Sequence, residues 1–493
     1  MGIVLNQSIK NTLITYLGFG IGAINILFLY TNYLTEDYFG LVSYILSTAN
    51  ILMPLMAFGV HNTIIKFYSS FKTRVLQQSF LSLMLLLPLI LIIPLALFTH
   101  FAYNTIGEWI SKKNPITKDF IWLIYITAVA FAYFEVFYAW SKVQLQSVFG
   151  NFIKEIFHRV AIMLLLFAHY FKFITVTQFI YSITIVYFLR LIIMAIYAFS
   201  LRKPTFRIKH IPNVLSIVKY SALIIIAGSV ALIILEVDKF MIGQYIPNLK
   251  NVAYYSVAIF IATVIDVPQR AMQQIVNPLT AKYLNAKNYE ALSDLYKKSS
   301  ITLLIISGLI LVLILININA LYLLLPNNYS EGLFVVFIIG IAKLFNSILG
   351  NNNSILFYSN YYRIVLIFGV LVAIITVVSN IVLIPILGLN GAALASFITI
   401  FIYNTIKLIF VKVKFKLSPF SIKSGQAIAI ILMCFFSFYF WDILEFPIAS
   451  IILKSGLCSL LFLVAIYKLK LSLDINGMID SILIKTIKKP SNK

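Results

Sequence analysis

The chain has 493 residues, of which 61% are hydrophobic and 11% charged, with a mean hydropathy of +0.98 and a formal net charge of +22. Soluble domains carry charge at roughly a quarter of their positions, so a water-soluble fold is excluded and lipid is the solvent for most of this surface. The cations sit in short stretches between apolar runs, which is the pattern of positive cytoplasmic loops and not of a nucleic-acid-binding face, so no nucleic-acid partner is expected. The cysteines, Cys434 and Cys458, lie in apolar runs, and the histidines are dispersed without ligand spacing. Neither a disulfide framework, a metal site nor a cofactor is expected.

The opening MGIVLNQSIK shows no small-residue cleavage site, and Asn6 stands where a myristoylation signal wants Ser or Thr, so the first span is expected to target the chain. Apolar length and breaker residues place spans one to eight at 11–33, 38–60, 77–103, 119–141, 156–175, 177–200, 214–236 and 252–272. Spans nine to fourteen follow at 301–325, 332–358, 363–386, 390–411, 425–445 and 448–468. The fold class is therefore an all-α integral membrane protein of about fourteen transmembrane helices.

Lys66, Lys72, Arg74, Arg202, Lys203, Arg207, Lys209, Lys282, Lys297, Lys412 and Lys414 fall on one side of these spans, whereas the opposite loops hold few cations, chiefly Lys112, Lys113, Lys118, Lys172, Lys239 and Lys250. That bias predicts a multi-pass protein of the cytoplasmic (inner) membrane with both termini in the cytoplasm. Two basic amphipathic stretches are predicted to lie on the surface among lipid headgroups. One is 282–298, with Tyr289, Leu292 and Tyr296 on one face and an Asp294–Lys298 pair. The other is the tail 474–489, with Ile475, Ile479, Ile482 and Leu483 apolar and Lys485, Lys488 and Lys489 basic. Membrane lipids are partners in this sense.

A faint repeat relates YLTEDYFGLVSYILS (33–47) to YIPNLKNVAYYSVAIFIA (245–262), with Ser43 answering to Ser256 about 213 residues on and Pro54 to Pro268. It predicts two six-helix lobes related by pseudo-two-fold symmetry. Their boundaries are an N-lobe at 1–201, a cytoplasmic linker at 202–213, a C-lobe at 214–411, two additional spans at 412–468 and an amphipathic tail at 469–493.

The segment EVDKFMIGQYIPNLKNVAYYSVA (236–258) resembles the seven-to-eight turn of the polysaccharide-repeat-unit flippases, a branch of the multidrug/oligosaccharidyl-lipid/polysaccharide exporter superfamily. LTEDYFGLVSY (34–44) with PLMAFGVHNTIIKFY (54–68) is similar to that family's first turn and second span. NIVLIPILGLNGAALASFIT (380–399) is similar to its eleven-to-twelve turn, matching at Pro385, Gly388, Gly391, Ala392, Ala393 and Ala395, although Val252-Ala253 stands where the family often has Gly. The resemblance runs from about residue 8 to about residue 420. It implies a transporter, not an enzyme, that moves isoprenoid-diphosphate-linked oligosaccharide repeat units from the inner to the outer leaflet by alternating access, for cell-surface polysaccharide such as capsule, O-antigen or lipopolysaccharide. Association with polysaccharide polymerase machinery belongs to the same expectation.

Charge inside a span is costly and marks candidate function. Lys343, Arg270, Arg190, Lys219 and Lys66 are the candidates for a cationic, substrate-binding cavity between the lobes, and Glu135 and Asp266 are candidates for coupling to a H⁺ or Na⁺ gradient or for charge pairing. Lys343 leads, because it lies deep in span ten and is followed by Asn346, Ser347, Asn351, Asn352, Asn353 and Ser354. The competing reading is a buried pair with Glu135 or Asp266. Arg270 stands four residues from Asp266, which offers a local salt bridge, and Pro268 between them predicts a discontinuous span. Arg190 and Lys219 read more readily as interface anchors, and Lys66 as a positive-inside lysine or a cytoplasmic entry. Glu135 sits among Tyr133, Phe134, Phe137, Tyr138 and Trp140, where a structural hydrogen bond is the plainer role.

Two other functions compete. A cation-coupled multidrug exporter of the same superfamily would share the fold, but a pathway rich in Lys and Arg repels cationic cargo. An integral-membrane glycosyltransferase or polymerase would use an acidic pair such as Glu36-Asp37, but the longest outer loop, 104–118, is too short for a sugar-transfer domain.

Overall fold

A computed structural model describes residues 2–205, 211–359, 361–441, 446–477 and 479–480. The described chain is helical, with no strand among the described residues. Among the described residues, twelve helices are long and apolar enough to cross a membrane by length and composition, and they coincide with all the expected spans except five and seven. Those two are also helical. Span five is replaced by Val148–Phe152, a π turn at Ile153–Phe157 and the helix His158–Tyr170; span seven is the first part of a 32-residue helix, Val214–Tyr245. The protein is an all-α membrane protein of about fourteen helices.

Breaker residues set the internal bends. Pro88 separates Arg74–Leu86 from Leu89–Phe101 inside span three, because its ring removes a ladder donor. Span ten is cut into Leu333–Ile348 and Asn352–Tyr358 by Gly350, whose φ of +55° suits glycine and whose added Cβ would stand 2.7 Å from Ser299 Oγ. The expected surface helix 282–298 does not form as one unit. Val267–Asn285 ends there and Tyr289–Ile316 begins, burying Leu292 and Tyr296 completely while Tyr289 stays exposed. The Asp294–Lys298 pair forms at 2.7 Å on the exposed side, where solvent screening leaves it little weight. Arg207 and Lys209 lie outside the described residues, as do Ile482, Leu483, Lys485, Lys488 and Lys489 of the expected tail helix.

Packing divides the chain into two compact units, Met1–Val257 with Gly369–Ala395, and Ala258–Phe368 with Ser396–Lys493. The division does not follow the expected linker at 202–213, because Val214–Tyr245 packs along Glu36–Met56 and so joins span seven to the first unit. In the first unit Ile121–Lys142 is central, packed against Glu36–Met56, Val60–Phe67 and Val176–Leu201, with Phe80, Phe134 and Trp140 fully buried. In the second, Tyr289–Ile316 holds Ile422–Tyr439, Leu333–Ile348 and Val267–Asn285.

The repeated segments meet at their starts. Asp37 Oδ1 accepts the Lys250 backbone N–H at 3.2 Å, the Tyr254 hydroxyl donates to Glu36, and Gly40 lies so close that an added Cβ would stand 1.9 Å from the Leu249 carbonyl oxygen. Glu36 and Asp37 thus serve the first turn of a helix, where acids are favoured. Gly40→Ala is expected to lower the thermal unfolding midpoint in detergent, at a cost of about 1–3 kcal/mol or more for overpacking against backbone. An unchanged midpoint would mean the approach is not this close.

Candidate functional site: charges inside the spans

In the first unit the wide π turn Ile153–Phe157 brings Lys154 to Glu135, with Nζ 2.5 Å from Oε1. Glu135 is therefore an ion-pair partner and not a lone carboxylate. Lys142 Nζ lies 3.7 Å from the centre of the Tyr138 ring, and Lys154 Nζ 5.8 Å from the same ring. On the next turns Arg159 pairs with Glu155 at 2.9 Å. Arg190 differs from its expected place at an interface. It is 8% exposed, its guanidinium is 4.0 Å from the centre of Phe134 and 5.0 Å from that of Tyr187, and its Nε has no hydrogen-bond partner among the described residues. Rings hold this cation by their negative faces, while burial keeps water away. Lys142, Lys154, Arg159 and Arg190 face two acids, Glu135 and Glu155, so these adjoining turns carry a cationic surplus.

The first span lies against the same turns. Asn25, within a π turn of its own at Ile24–Leu29, donates to the Arg159 carbonyl at 2.8 Å, Asn11 donates to Ser147 at 3.0 Å, and a Cβ on Gly18 would stand 2.6 Å from the Glu155 carbonyl oxygen. Single-turn π segments inside α-helices recur at functional sites, and here two of them share one interface. Lys66 and Lys219 stay exposed. Lys66 Nζ sits 3.6 Å from the centre of the Tyr220 ring, and neither lysine joins an ion pair of this cluster.

In the second unit the 3₁₀ turn Val264–Asp266 breaks span eight as Pro268 predicts, and the next helix starts at Val267 with that proline in its first turn. The tight turn packs on Leu333–Ile348, so Asp266 Oδ2 meets Lys343 Nζ at 2.7 Å, both side chains being about one-tenth exposed. Ser307 fixes the turn by donating to the Ile265 carbonyl at 2.9 Å. The pair takes up the charge of Lys343, and the i, i+4 bridge from Asp266 to Arg270 does not form; Arg270 is exposed.

The polar run after Lys343 builds a seam of amides. Gln269 and Asn346 bond each other, with Asn346 Nδ2 donating to Gln269 Oε1 at 2.8 Å. Asn404 donates to Asn346 at 3.2 Å, Asn351 to Thr280 at 2.9 Å and Ser354 to Asn277 at 2.5 Å. One helical turn past Asn404 stands Lys407, 4% exposed, its Nζ 3.8 Å from the centre of the Tyr403 ring, with no carboxylate within ion-pair distance among the described residues. Sequence reasoning passed over Lys407 because it precedes the basic end of span twelve. It also missed Asp238, which is 3% exposed and accepts hydrogen bonds from the Tyr255 hydroxyl and from Asn380 at 2.5 and 2.8 Å. The sequence pattern ends span seven at 236, whereas the helix continues to Tyr245.

The family model described as "Polysaccharide biosynthesis protein" matches residues 4–268. No curated protein sequence matches the chain. Among solved structures, one described as "Lipid II flippase MurJ, inward closed conformation" is similar with a TM-score of 0.70 and 16% identity, covering 94% of this chain and 99% of that one. An inward-facing multidrug resistance MATE family transporter of the MOP superfamily follows at a TM-score of 0.58 and 12% identity, covering 83% and 98%. A MOP superfamily transporter from Pyrococcus furiosus, described by the reverse polarity of its binding pocket, has a TM-score of 0.55 and 12% identity, covering 84% and 95%. At these identities the likeness is one of fold.

Proposed function

The chain belongs to the polysaccharide biosynthesis protein family, whose model covers more than half of it, and from that membership we propose that it is a flippase for isoprenoid-diphosphate-linked oligosaccharides. With the exporter-superfamily fold, this membership makes it a multi-pass transporter and not an enzyme. The observation that carries the substrate reading is the surplus of cations held along its helices: Arg190 and Lys407 are buried with no carboxylate at ion-pair distance among the described residues, and Lys142, over the Tyr138 ring, adds to the Lys154–Glu135 pair. A diphosphate bearing a glycan cannot cross hydrocarbon unaided, and buried guanidinium and ammonium groups offer it the strong, charge-assisted contacts it loses on leaving water. The similar flippase acts, by its name, on a lipid-linked substrate too.

Translocation from inner to outer leaflet by alternating access, in the cytoplasmic membrane with both termini in the cytoplasm, completes the proposal. The loop cation bias supports the orientation. Coupling to a H⁺ or Na⁺ gradient is assigned to acids within the helices. Asp238, buried and hydrogen-bonded to the neutral donors Tyr255 and Asn380, joins Glu135 and Asp266 as a candidate. Use in capsule, O-antigen or lipopolysaccharide assembly, with the polymerase as partner, extends the same proposal. The drug-exporter alternative shares this fold, but the cationic surplus repels organic cations.

The test is reconstitution into liposomes with a lipid-diphosphate oligosaccharide whose leaflet is read by a membrane-impermeant enzyme. Protein-dependent equilibration of the lipid is expected. Export of an organic cation with no movement of the lipid would reverse the assignment.

A further inference from the structure

Within the first unit, a cavity of about 310 Å³ opens between the outer half of span three, the helix Glu36–Met56, the start of Ile121–Lys142 and the short helix Tyr103–Ser111. Its walls are apolar, with Met56, Leu95, Ile106, Ile124 and Phe240 among them, and no charged side chain lines it. The few hydroxyls in the wall are already spent on the backbone: Thr48 donates to Tyr44 O at 2.7 Å, Thr99 to Leu95 O at 2.8 Å and Tyr125 to Ile92 O at 2.5 Å. Besides the Trp109 indole, whose side chain is largely exposed, the wall offers few polar groups to water or a polar ligand. Apolar cavities of roughly half this volume stay dry and take up hydrocarbon, and an empty one forfeits the dispersion contacts that close packing supplies.

The medium at its edge is also legible. Span three is strongly apolar and largely exposed; Ile93, Leu97 and Phe98 on its Leu89–Phe101 half are each more than half exposed. In a membrane-spanning helix such a face is turned to the acyl chains, so hydrocarbon is present at the rim at solvent concentration. The cations proposed to hold a diphosphate, Arg190 and Lys154, are not among the lining residues, and no charged side chain lines the cavity, so the cavity itself offers no site for the headgroup of an isoprenoid diphosphate.

We propose that this cavity is a lipid site that takes one acyl chain of a membrane phospholipid, wedged between span three and the body of the first unit. The chain replaces protein packing that span three lacks. The site is independent of the flippase reading and survives its failure.

The experiment uses the full-length protein in vesicles containing a phosphatidylcholine with a photoactivatable diazirine at the acyl terminus, and in parallel an isoprenoid diphosphate carrying the same group. Adducts are mapped by mass spectrometry. Met56 and Ile124, 1% and 3% exposed, line the cavity and are out of reach of chains lying on the outer surface. Phospholipid adducts on these two residues are expected, falling at least tenfold in Thr99→Phe, which fills the cavity, while adducts on the exposed Leu97 and Phe101, outside the lining, persist. Leu52→Phe fills the opposite wall and serves where Thr99→Phe does not fold. The wild-type pattern decides the matter by itself: adducts confined to Leu97, Phe101 and other positions outside the lining, or labelling of Met56 and Ile124 by the isoprenoid probe alone, would overturn the proposal.

Discussion

Lys343→Met is expected to destabilise the protein by about 3–5 kcal/mol, the usual effect of removing one partner of a buried ion pair. The charge left behind is that of Asp266, one-tenth exposed, with its Oδ1 already without a hydrogen-bond partner and its Oδ2 bonded only to the lysine among the ion pairs described. Asp266→Asn should do comparable harm by stranding Lys343. The double variant Lys343→Met/Asp266→Asn should recover most of the loss, because a neutral amide beside a thioether strands no charge. Thermal unfolding in detergent checks all three. A single variant as stable as the wild type would mean the 2.7 Å pair is not formed. The consequence for transport is direct: loss of flipping in Lys343→Ala alone reports a damaged fold, so only the double variant tests whether Lys343 also meets the substrate. A folded double variant that flips lipid at the wild-type rate makes the pair a strut of span eight's broken turn.

The sequence could announce this pair because its logic is local and energetic. An ammonium deep in span ten needs an acid, few acids lie inside spans, and Pro268 marks a break that frees Asp266 from its own helix face. The turn between spans eleven and twelve was readable for the same kind of reason: Gly388 adopts φ +60°, and a Cβ on Gly391 would stand 2.1 Å from the Leu383 carbonyl oxygen. The burial of Arg190, as distinct from its candidacy, is not legible in the sequence, since two of the rings that enclose it, Phe131 and Phe134, come from another helix and nothing in FLRLIIM signals their approach. Glu135 is legible as a candidate for charge pairing but its partner is not, because that partner lies in a π turn, which leaves no mark on apolar periodicity and places Lys154 in what reads as a loop. Asp238 and Lys407 were hidden by span ends drawn too short or too near a basic terminus. Packing units and repeat-based lobes answer different questions. The repeat spacing between Ser43 and Ser256 records a duplicated pattern, whereas the unit boundaries record which helices touch.

Arg190→Met is expected to fold and to slow lipid-diphosphate translocation by about 10- to 100-fold. A hydrogen bond to a charged group contributes about 1.5–3 kcal/mol, and 1.36 kcal/mol corresponds to a factor of ten in rate when the contact is made on the way across. Methionine is the right replacement because it fills the ring-lined space without a charge, and its thioether is compatible with the faces of Phe134 and Tyr187. Arg190→Lys should recover only part of the rate, since an ammonium lacks the planar fork that binds phosphate through two parallel donors and stacks on Phe134. Monodispersity in gel filtration separates a folded, slow variant from a collapsed one. The same substitution discriminates between cargoes. Removing a buried cation should leave the export of an organic cation unchanged or faster, because a repulsive charge is gone, and should slow only an anionic cargo. Wild-type translocation of the lipid by a folded Arg190→Met would remove Arg190 from the pathway and shift the burden of the diphosphate to Lys142 and Lys154 beside Glu135 or to Lys407 over Tyr403. Lys407→Met then becomes the deciding variant, because that lysine alone among these lies in the second unit without a carboxylate at ion-pair distance among the described residues.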